Sequence, residues 1–437
     1  MSLPEQSPAM TGRRPPALVM NLYYTGLGIA RSLGERGVRV IGLTATRGIY
    51  GNFTRYAETV FCPDSSKEPE KLAAFLADFG RQLGERGVIF PTRDSDLVFL
   101  DRFRAKLEPY YSIVAPSSKA LATCLDKFAT SRAAQLAQIP SPKCWIVEGP
   151  DELNDLARGL TYPCVLKPVS SHEWRHGNNW ELVGARKAIG ISSTDELLFE
   201  YETIARAEKR AVVQEMVPGG DGDLLIAACY LDRDSRYVAG FQVQKLVQVP
   251  EGFGTGCIVQ SVDRPELLEP AIRLLQSIRF TGIAEVEFKR DAATGAYKLI
   301  EINPRPWDQH RLGKYCGVEL MYLAYCEHAG LPVVPPGKPA PGHKWIAEDV
   351  FFTTALTMLF RRDRRLRDLF RHARGKRLFA IWSANDPLPS ICYALSQFLP
   401  QFIGTCMRRM WVGFRQTFSK KRSEPKRGVV YERHQEN

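Results

Sequence analysis

The stretch GIAEVEFKRDAATGAYKLIEINPRPW, residues 282–307, constrains the fold more than any other part of this 437-residue chain. Two apolar, β-prone runs flank an Asp-Ala-Ala-Thr-Gly turn, a pattern that predicts a hairpin. Successive side chains of a strand point to opposite faces, so Glu285 and Glu287 share one face of the first strand. Glu301 and Asn303 share one face of the second, and pairing the strands brings three carboxylates and an amide together. Carboxylates gathered in this way repel unless a cation joins them. Mg²⁺ on a polyphosphate takes one or two carboxylates and an amide oxygen, which suits the set. A merely solvated sheet face does not account for strands this apolar, nor for Pro304 and Pro306, which fix the exit of Arg305.

The rest of the chain sets this hairpin in a larger assembly. ALVMNLYYTGLGIARSLGERGVRVIGLTA reads as a buried strand, a turn at Gly26 and Gly28, a helix from about Leu27 to Glu35, and a strand from Val38 to Leu43. This βαβ opening is not a dinucleotide fingerprint, because the third glycine is missing and no acidic residue closes the next strand at Leu43 and Thr44. Helix and strand alternate to Ser112, as in an open α/β domain. A helix start at Ser117 or Ser118 and a helix over Lys127–Ala137 lead into a smaller α+β unit ending near Val213, after which period-two runs announce an antiparallel unit. The expected order is a leader over 1–16, an α/β domain over 17–112, a small unit over 113–213, an antiparallel unit over 214–344 and an extension over 345–437.

Charge sets the last segment apart. From Trp345 onward 18 Lys and Arg face 8 Asp and Glu, so +10 of the total +11 lies there. An enzyme acting on nucleic acid would carry its positive charge around the main cleft, and no specific nucleic-acid partner is expected. The ten cysteines are scattered singly, as for reduced thiols in a cytosol, and read as small core residues. Residues 1–16 lack the apolar core of a signal peptide.

HEWRH, residues 172–176, has the spacing of a zinc protease, in which a helix turns two imidazoles to one metal. The surrounding LKPVSSHEWRHGNNWELVG supplies proline, serines, glycine and asparagines and no 3.6-residue apolar stripe. The segment reads as a polar loop, and no zinc site is expected.

Six motifs follow in order: LDKF with Lys127, VLKP with Lys167, the polar loop, VVQEMVPG, EVEF with Glu287, and IEINPR with Glu301, Asn303 and Arg305. Together, over about residues 17–340, they resemble the ATP-grasp superfamily, and within it the carboxylate–amine ligases. The resemblance implies a mixed α/β and α+β three-domain architecture: an N-terminal open α/β domain, a small lid domain and an antiparallel-sheet catalytic domain, here followed by a basic, apolar, helical tail. It implies that Lys127 and Lys167 hold ATP phosphates. The backbone of Glu215, Met216 and Val217 would meet the adenine edge, since Pro218 has no N–H, and Asp221 or Asp223 would take the ribose hydroxyls. Glu287, Glu301 and Asn303 would ligate two Mg²⁺ ions, with Mn²⁺ as a substitute. Arg305 would stabilise the charge that develops during phosphoryl transfer, assisted by Lys245. The segment between Lys167 and Arg186 would be the lid, with His172 and His176 in it. Trp174, Trp180 and only two glycines, Gly177 and Gly184, depart from the glycine-rich lid of the family.

The implied reaction phosphorylates a small-molecule carboxylate and joins it to an amine, releasing ADP and phosphate. Positioning, metal and positive charge do the work, and no protein nucleophile is needed. Two other readings stay open. One is a carboxylase-like or carbamoyl-phosphate-like enzyme using bicarbonate. The other is a nucleotide-binding pseudoenzyme acting through its tail, against which both lysines and the Glu287, Glu301 and Asn303 trio count. In that tail PLPSICYALSQFLPQFIGTCM, residues 387–407, is 21 residues without charge, yet three prolines and two glutamines argue against a spanning helix. The alternatives are an interfacial segment on an anionic membrane surface and a helical cap with a basic outer face. The expected location is the cytoplasm, with peripheral membrane association under the first alternative.

Overall fold

The computed structural model describes residues 14–170, 174, 179–184, 186–206 and 208–400. The described residues up to Pro389 form one compact unit, and those from Ser390 belong to a second. Three sheets follow one another along the first unit.

The first sheet holds β1 (Ala17–Met20), β2 (Val40–Thr44), β3 (Glu58–Phe61), β4 (Gly87–Phe90) and β5 (Tyr111–Ile113). All are parallel, in the order β3-β2-β1-β4-β5. The order reverses between β1 and β4, and open α/β sheets keep their ligand crevice outside the carboxyl ends at such a point. Asp96 ties those ends together: its buried carboxylate accepts from Asn21 Nδ2 at 3.2 Å, Ser65 Oγ at 2.7 Å and the backbone N–H of Arg93 at 3.0 Å. The first helix begins at Tyr24, three residues before its expected start, so Gly26 and Gly28 lie inside it. Their role is close approach rather than a turn. A Cβ at Gly26 would stand 1.8 Å from the carbonyl oxygen of Asn21, and one at Gly28 would stand 2.7 Å from His310 Nε2.

The second sheet is antiparallel, in the order β6-β9-β7-β8, from β6 (Cys144–Val147), β7 (Cys164–Pro168), β8 (Ile189–Ile191) and β9 (Ala211–Glu215). The helices Ser118–Leu125 and Lys127–Leu136, expected in the same unit, belong elsewhere. Ala120, Cys124, Ala133 and Ala134 share a core with the third sheet. An amphipathic helix buries its apolar stripe on whichever sheet face is uncovered, and chain order does not say which that is.

The third sheet has seven strands in the order β14-β13-β10-β11-β12-β15-β16. They are β10 (Leu224–Leu231), β11 (Tyr237–Val249), β12 (Thr255–Val262), β13 (Gly282–Arg290), β14 (Tyr297–Asn303), β15 (Lys344–Ile346) and β16 (Arg377–Phe379). On β13, Ala284, Val286 and Phe288 face the helices, which leaves Glu285 and Glu287 on the other face. Strict alternation would put Leu299 with Glu301 and Asn303. A bulge prevents this: Glu287 pairs with Glu301 but Phe288 pairs with Leu299, so Leu299 turns into the core.

The expected boundary at residues 344 and 345 falls inside β15, which pairs with β12 and with β16. The segment is a folded cap up to Asp386. Phe351, Ala355 and Leu369 bury against Ile258 and Ile346. Glu348 accepts from the backbone N–H groups of Ala380, Ile381 and Trp382 at 2.9, 2.9 and 2.6 Å. Asp386 reaches the first domain, accepting from Arg31 Nε at 2.9 Å, Thr54 Oγ1 at 2.6 Å and the N–H of Arg55 at 3.0 Å. Basic composition made this segment look separate, yet its inner face is as apolar as any core. Among the described residues no helix is long and apolar enough to cross a membrane. Residues 401–407 of the uncharged run lie outside the described residues.

Candidate functional site

The residues picked out by motif order converge where β13 and β14 face the second sheet. Glu285 stands opposite Asn303 and Glu287 opposite Glu301 in the strand register. Asn303 Nδ2 donates to Glu285 Oε2 at 3.0 Å and to Glu301 Oε1 at 3.2 Å. Lys245, on β11, sends its ammonium to both oxygens of Glu287, at 2.8 and 2.9 Å, with both side chains buried. Lys167, on β7, donates to Gln214 Oε1 on β9 at 2.7 Å. Lys127 opens the helix Lys127–Leu136, which Asp126 caps by accepting from the N–H of Ala129 at 2.8 Å. Lys127, Thr130, Glu301, Asn303 and Asp94 line a small cavity between the layers.

The charges shape one another. Burial pushes the Glu301 carboxyl up, but the ammonium groups of Lys127, Lys167 and Lys245 outweigh it and hold Glu301 below the usual carboxylate range. Burial, and then the neighbouring Glu287 carboxylate, push Glu285 up to about 8, despite Lys245 and Arg305. Burial lowers Lys167 to about 8, helped by repulsion from Lys127 and opposed by Glu301 and Glu287. Such a site sets buried ammonium groups among crowded carboxylate oxygens.

Arg305, expected from sequence, has a partner that was not. Its Nε donates to Asp94 Oδ1 at 2.6 Å, and the side chains are only 16% and 12% exposed. Asp94 heads a helix just beyond the carboxyl end of β4, so the first sheet reaches into the third through this pair. Gln214 was missed too, as the holder of Lys167. Asp94 stands where an α/β sheet places ligand-facing groups, and that position is the signal that could have found it.

The residues expected around adenine and ribose lie at the end of β9 and in the turn after it. Glu215 donates its N–H to the carbonyl of Lys143 at 2.9 Å, and its carboxylate accepts from the N–H of Lys143 at 3.0 Å. Val217 is buried and Met216 is half-buried. Asp221 differs from expectation. Its carboxylate accepts from Gln248 N at 2.7 Å, Gln248 Nε2 at 2.9 Å and Gly252 N at 3.1 Å, so it organises the β11–β12 turn. Asp223 accepts only from the N–H of Gly220 at 3.0 Å among the described hydrogen bonds.

The oxygen set fits a cation that arrives with phosphate rather than a caged ion. Among the described residues no three His, Cys, Asp or Glu groups converge tightly enough to hold a metal. Mg²⁺ needs only one or two carboxylates when phosphate oxygens complete its shell, and Asn303 donates to Glu285 and Glu301 through Nδ2, so that its amide oxygen is the atom suited to a metal. Both oxygens of Glu287, the remaining member of the expected trio, accept from the Lys245 ammonium in this state. His172 and His176 of the HEWRH segment lie outside the described residues. Trp174 and Trp180 pack in and against the core of the second sheet with Leu166, Val183 and Ile189, which explains two bulky residues in an expected lid.

No family model matches the chain. It is 22% identical over 299 residues to D-aspartate ligase of Enterococcus faecium, covering 65% of this chain and 69% of that one. It is 21% identical over 302 residues to the carbamoyl phosphate synthase large chain of Methanobrevibacter smithii, covering 64% of this chain but only 26% of that much longer protein. Among solved structures, the biotin carboxylase–β,γ-ATP complex of Campylobacter jejuni superposes with a TM-score of 0.58 at 17% identity, over 73% of this chain and 72% of that one.

Proposed function

We propose that the chain is an ATP-grasp ligase whose cleft around Glu301 and Arg305 phosphorylates a small-molecule carboxylate and hands the acyl group to an amine, with ADP and phosphate released. The observation that carries this reading is the gathering of lysines from different elements around the paired Glu287 and Glu301: Lys245 bonds Glu287, Lys127 lines one cavity with Glu301 and Asn303, and the charge of Lys167 also acts on Glu301. A carboxylate is a poor acyl donor until one of its oxygens is phosphorylated. Lys127 and Lys167 bind and orient the triphosphate as flexible point charges. The backbone after Glu215, at Met216 and Val217, meets the adenine edge, and Asp223 takes the ribose hydroxyls in preference to Asp221.

Mg²⁺, bound with the nucleotide, supplies charge neutralisation of the phosphates. Glu301 and Asn303 would hold it, with Glu287, now paired with Lys245, as the further carboxylate that could join them. Arg305, steadied by Asp94, faces the oxygens that gain charge as the γ-phosphoryl group moves. The amine then attacks the acyl carbon through a tetrahedral intermediate, and the phosphate leaves with the oxygen it received. Two Mg²⁺ ions, their replacement by Mn²⁺, a cytoplasmic location and contact of residues 387–407 with an anionic membrane are finer parts of the same proposal.

The deciding experiment screens acids and amines for ADP release and repeats each hit with ¹⁸O-labelled carboxylate. One ¹⁸O should appear in the released phosphate for each amide formed. ADP released only with bicarbonate would favour the carboxylase reading. ATP binding without turnover on any pair would favour a pseudoenzyme.

A further inference from the structure

The helix Glu348–Arg361 is apolar around most of its circumference, and the cap uses only part of that surface. Phe351 and Ala355 are buried against the third sheet. On a 3.6-residue helix Phe352, Leu356, Leu359 and Phe360 fall on one adjoining arc. Phe352, Leu359 and Phe360 are 55%, 58% and 56% exposed. The patch continues beyond the helix: the Phe351 ring meets Phe352 at 5.6 Å and Phe370 at 5.4 Å, both edge-on, and Phe370 is itself 48% exposed. Single exposed apolar residues are ordinary, whereas contiguous aromatic patches mark contact surfaces.

Cationic charge borders the patch. Between Arg361 and Arg377 nine Lys and Arg accompany two Asp, a net of +7. Arg365 and Arg371 are paired with Asp363, Glu251 and Asp368. Arg364, Arg367 and Arg374 are exposed and have no ion pair among the described residues. An aromatic and aliphatic face with a guanidinium rim matches the boundary of an anionic bilayer, where rings enter the acyl region and arginines stay with the headgroups. RNA would engage the arginines but leave the Phe and Leu arc in water.

We infer that this outer face of the cap docks the ligase on an anionic lipid surface. The face lies within the folded body and is distinct from the uncharged run 387–407. The inference is independent of the substrates of the ligase.

The test is flotation of the full-length protein with vesicles of phosphatidylcholine alone or with 30% phosphatidylserine, at low and high salt. Phe352→Ser/Phe360→Ser and Arg364→Gln/Arg367→Gln/Arg374→Gln variants are compared, with ATP binding and thermal melts as fold controls. Wild type should float with the phosphatidylserine vesicles and lose binding as salt rises. The arginine variant should bind about 100-fold more weakly, on the order of fivefold per residue, and the phenylalanine variant at least tenfold more weakly, both with unchanged ATP binding. No binding to the anionic vesicles would overturn the inference. So would full retention by both variants, which would assign the contact to residues 401–437, and so would tighter, salt-sensitive binding to RNA unaffected by Phe352→Ser/Phe360→Ser.

Discussion

Replacing Asp94 with asparagine isolates one link in the site. The substitution keeps the size of the side chain and one acceptor oxygen, but removes the charge facing Arg305 across a 2.6 Å contact that is largely out of water. A charge-assisted bond in such a place contributes about 1.5–3 kcal/mol against about 1 kcal/mol for a neutral one. The variant therefore loses about 1–2 kcal/mol of hold on the guanidinium. If Arg305 acts only as charge moves to the acceptor, this loss lies in the transition state, and kcat falls about 5- to 30-fold with KM for ATP unchanged. Steady-state ADP release gives both constants, and a double-mutant cycle with Arg305→Met gives the coupling. In the Arg305→Met background Asp94→Asn should cost almost nothing further, because the group it positions is gone. Additive losses in the double variant, or an unchanged kcat in the single one, would refute the positioning role of Asp94.

Glu301→Gln should lower ADP formation at least ~100-fold while the melting curve stays in place, since it removes charge that only phosphoryl transfer uses; near-wild-type turnover would end the ATP-grasp reading of the cleft. Lys167 sits at about 8 in the free protein and phosphates raise it, so ATP affinity should fall as pH climbs through 8. Calorimetry in two buffers of different ionisation enthalpy at pH 8.5 should detect proton uptake that disappears in Lys167→Met, and no buffer dependence would disprove it. Asp386→Ala leaves the fully buried Arg31 guanidinium without its carboxylate, for an expected loss of about 3–5 kcal/mol of stability by denaturant titration. A loss under about 1 kcal/mol would show that the cap is held by other contacts. Elemental analysis should find no stoichiometric zinc, and one zinc per chain lost in His172→Ala would restore the metalloprotease reading of HEWRH.

Much of this protein is legible in one dimension because its signals are local. The period-two carboxylates of β13 and β14, the βαβ opening and the order of Lys127, Lys167 and IEINPR depend on the alternation of side chains and on spacing along the chain, and they identify the mixed α/β class and the residues that meet in the cleft. What only the tertiary structure decided are the pairings between distant faces. The bulge that sends Leu299 into the core, the bond from Asp94 to Arg305 and the hold of Lys245 on Glu287 join residues up to 211 positions apart. The same holds for the helices at 118–136, which serve the third sheet rather than the second, and for residues 345–386 of the basic segment, which form a cap with an apolar inner face. Periodicity says that a face must be covered, but burial is satisfied by any apolar surface of the right shape. Which surface covers it is chosen by the packing of the whole chain.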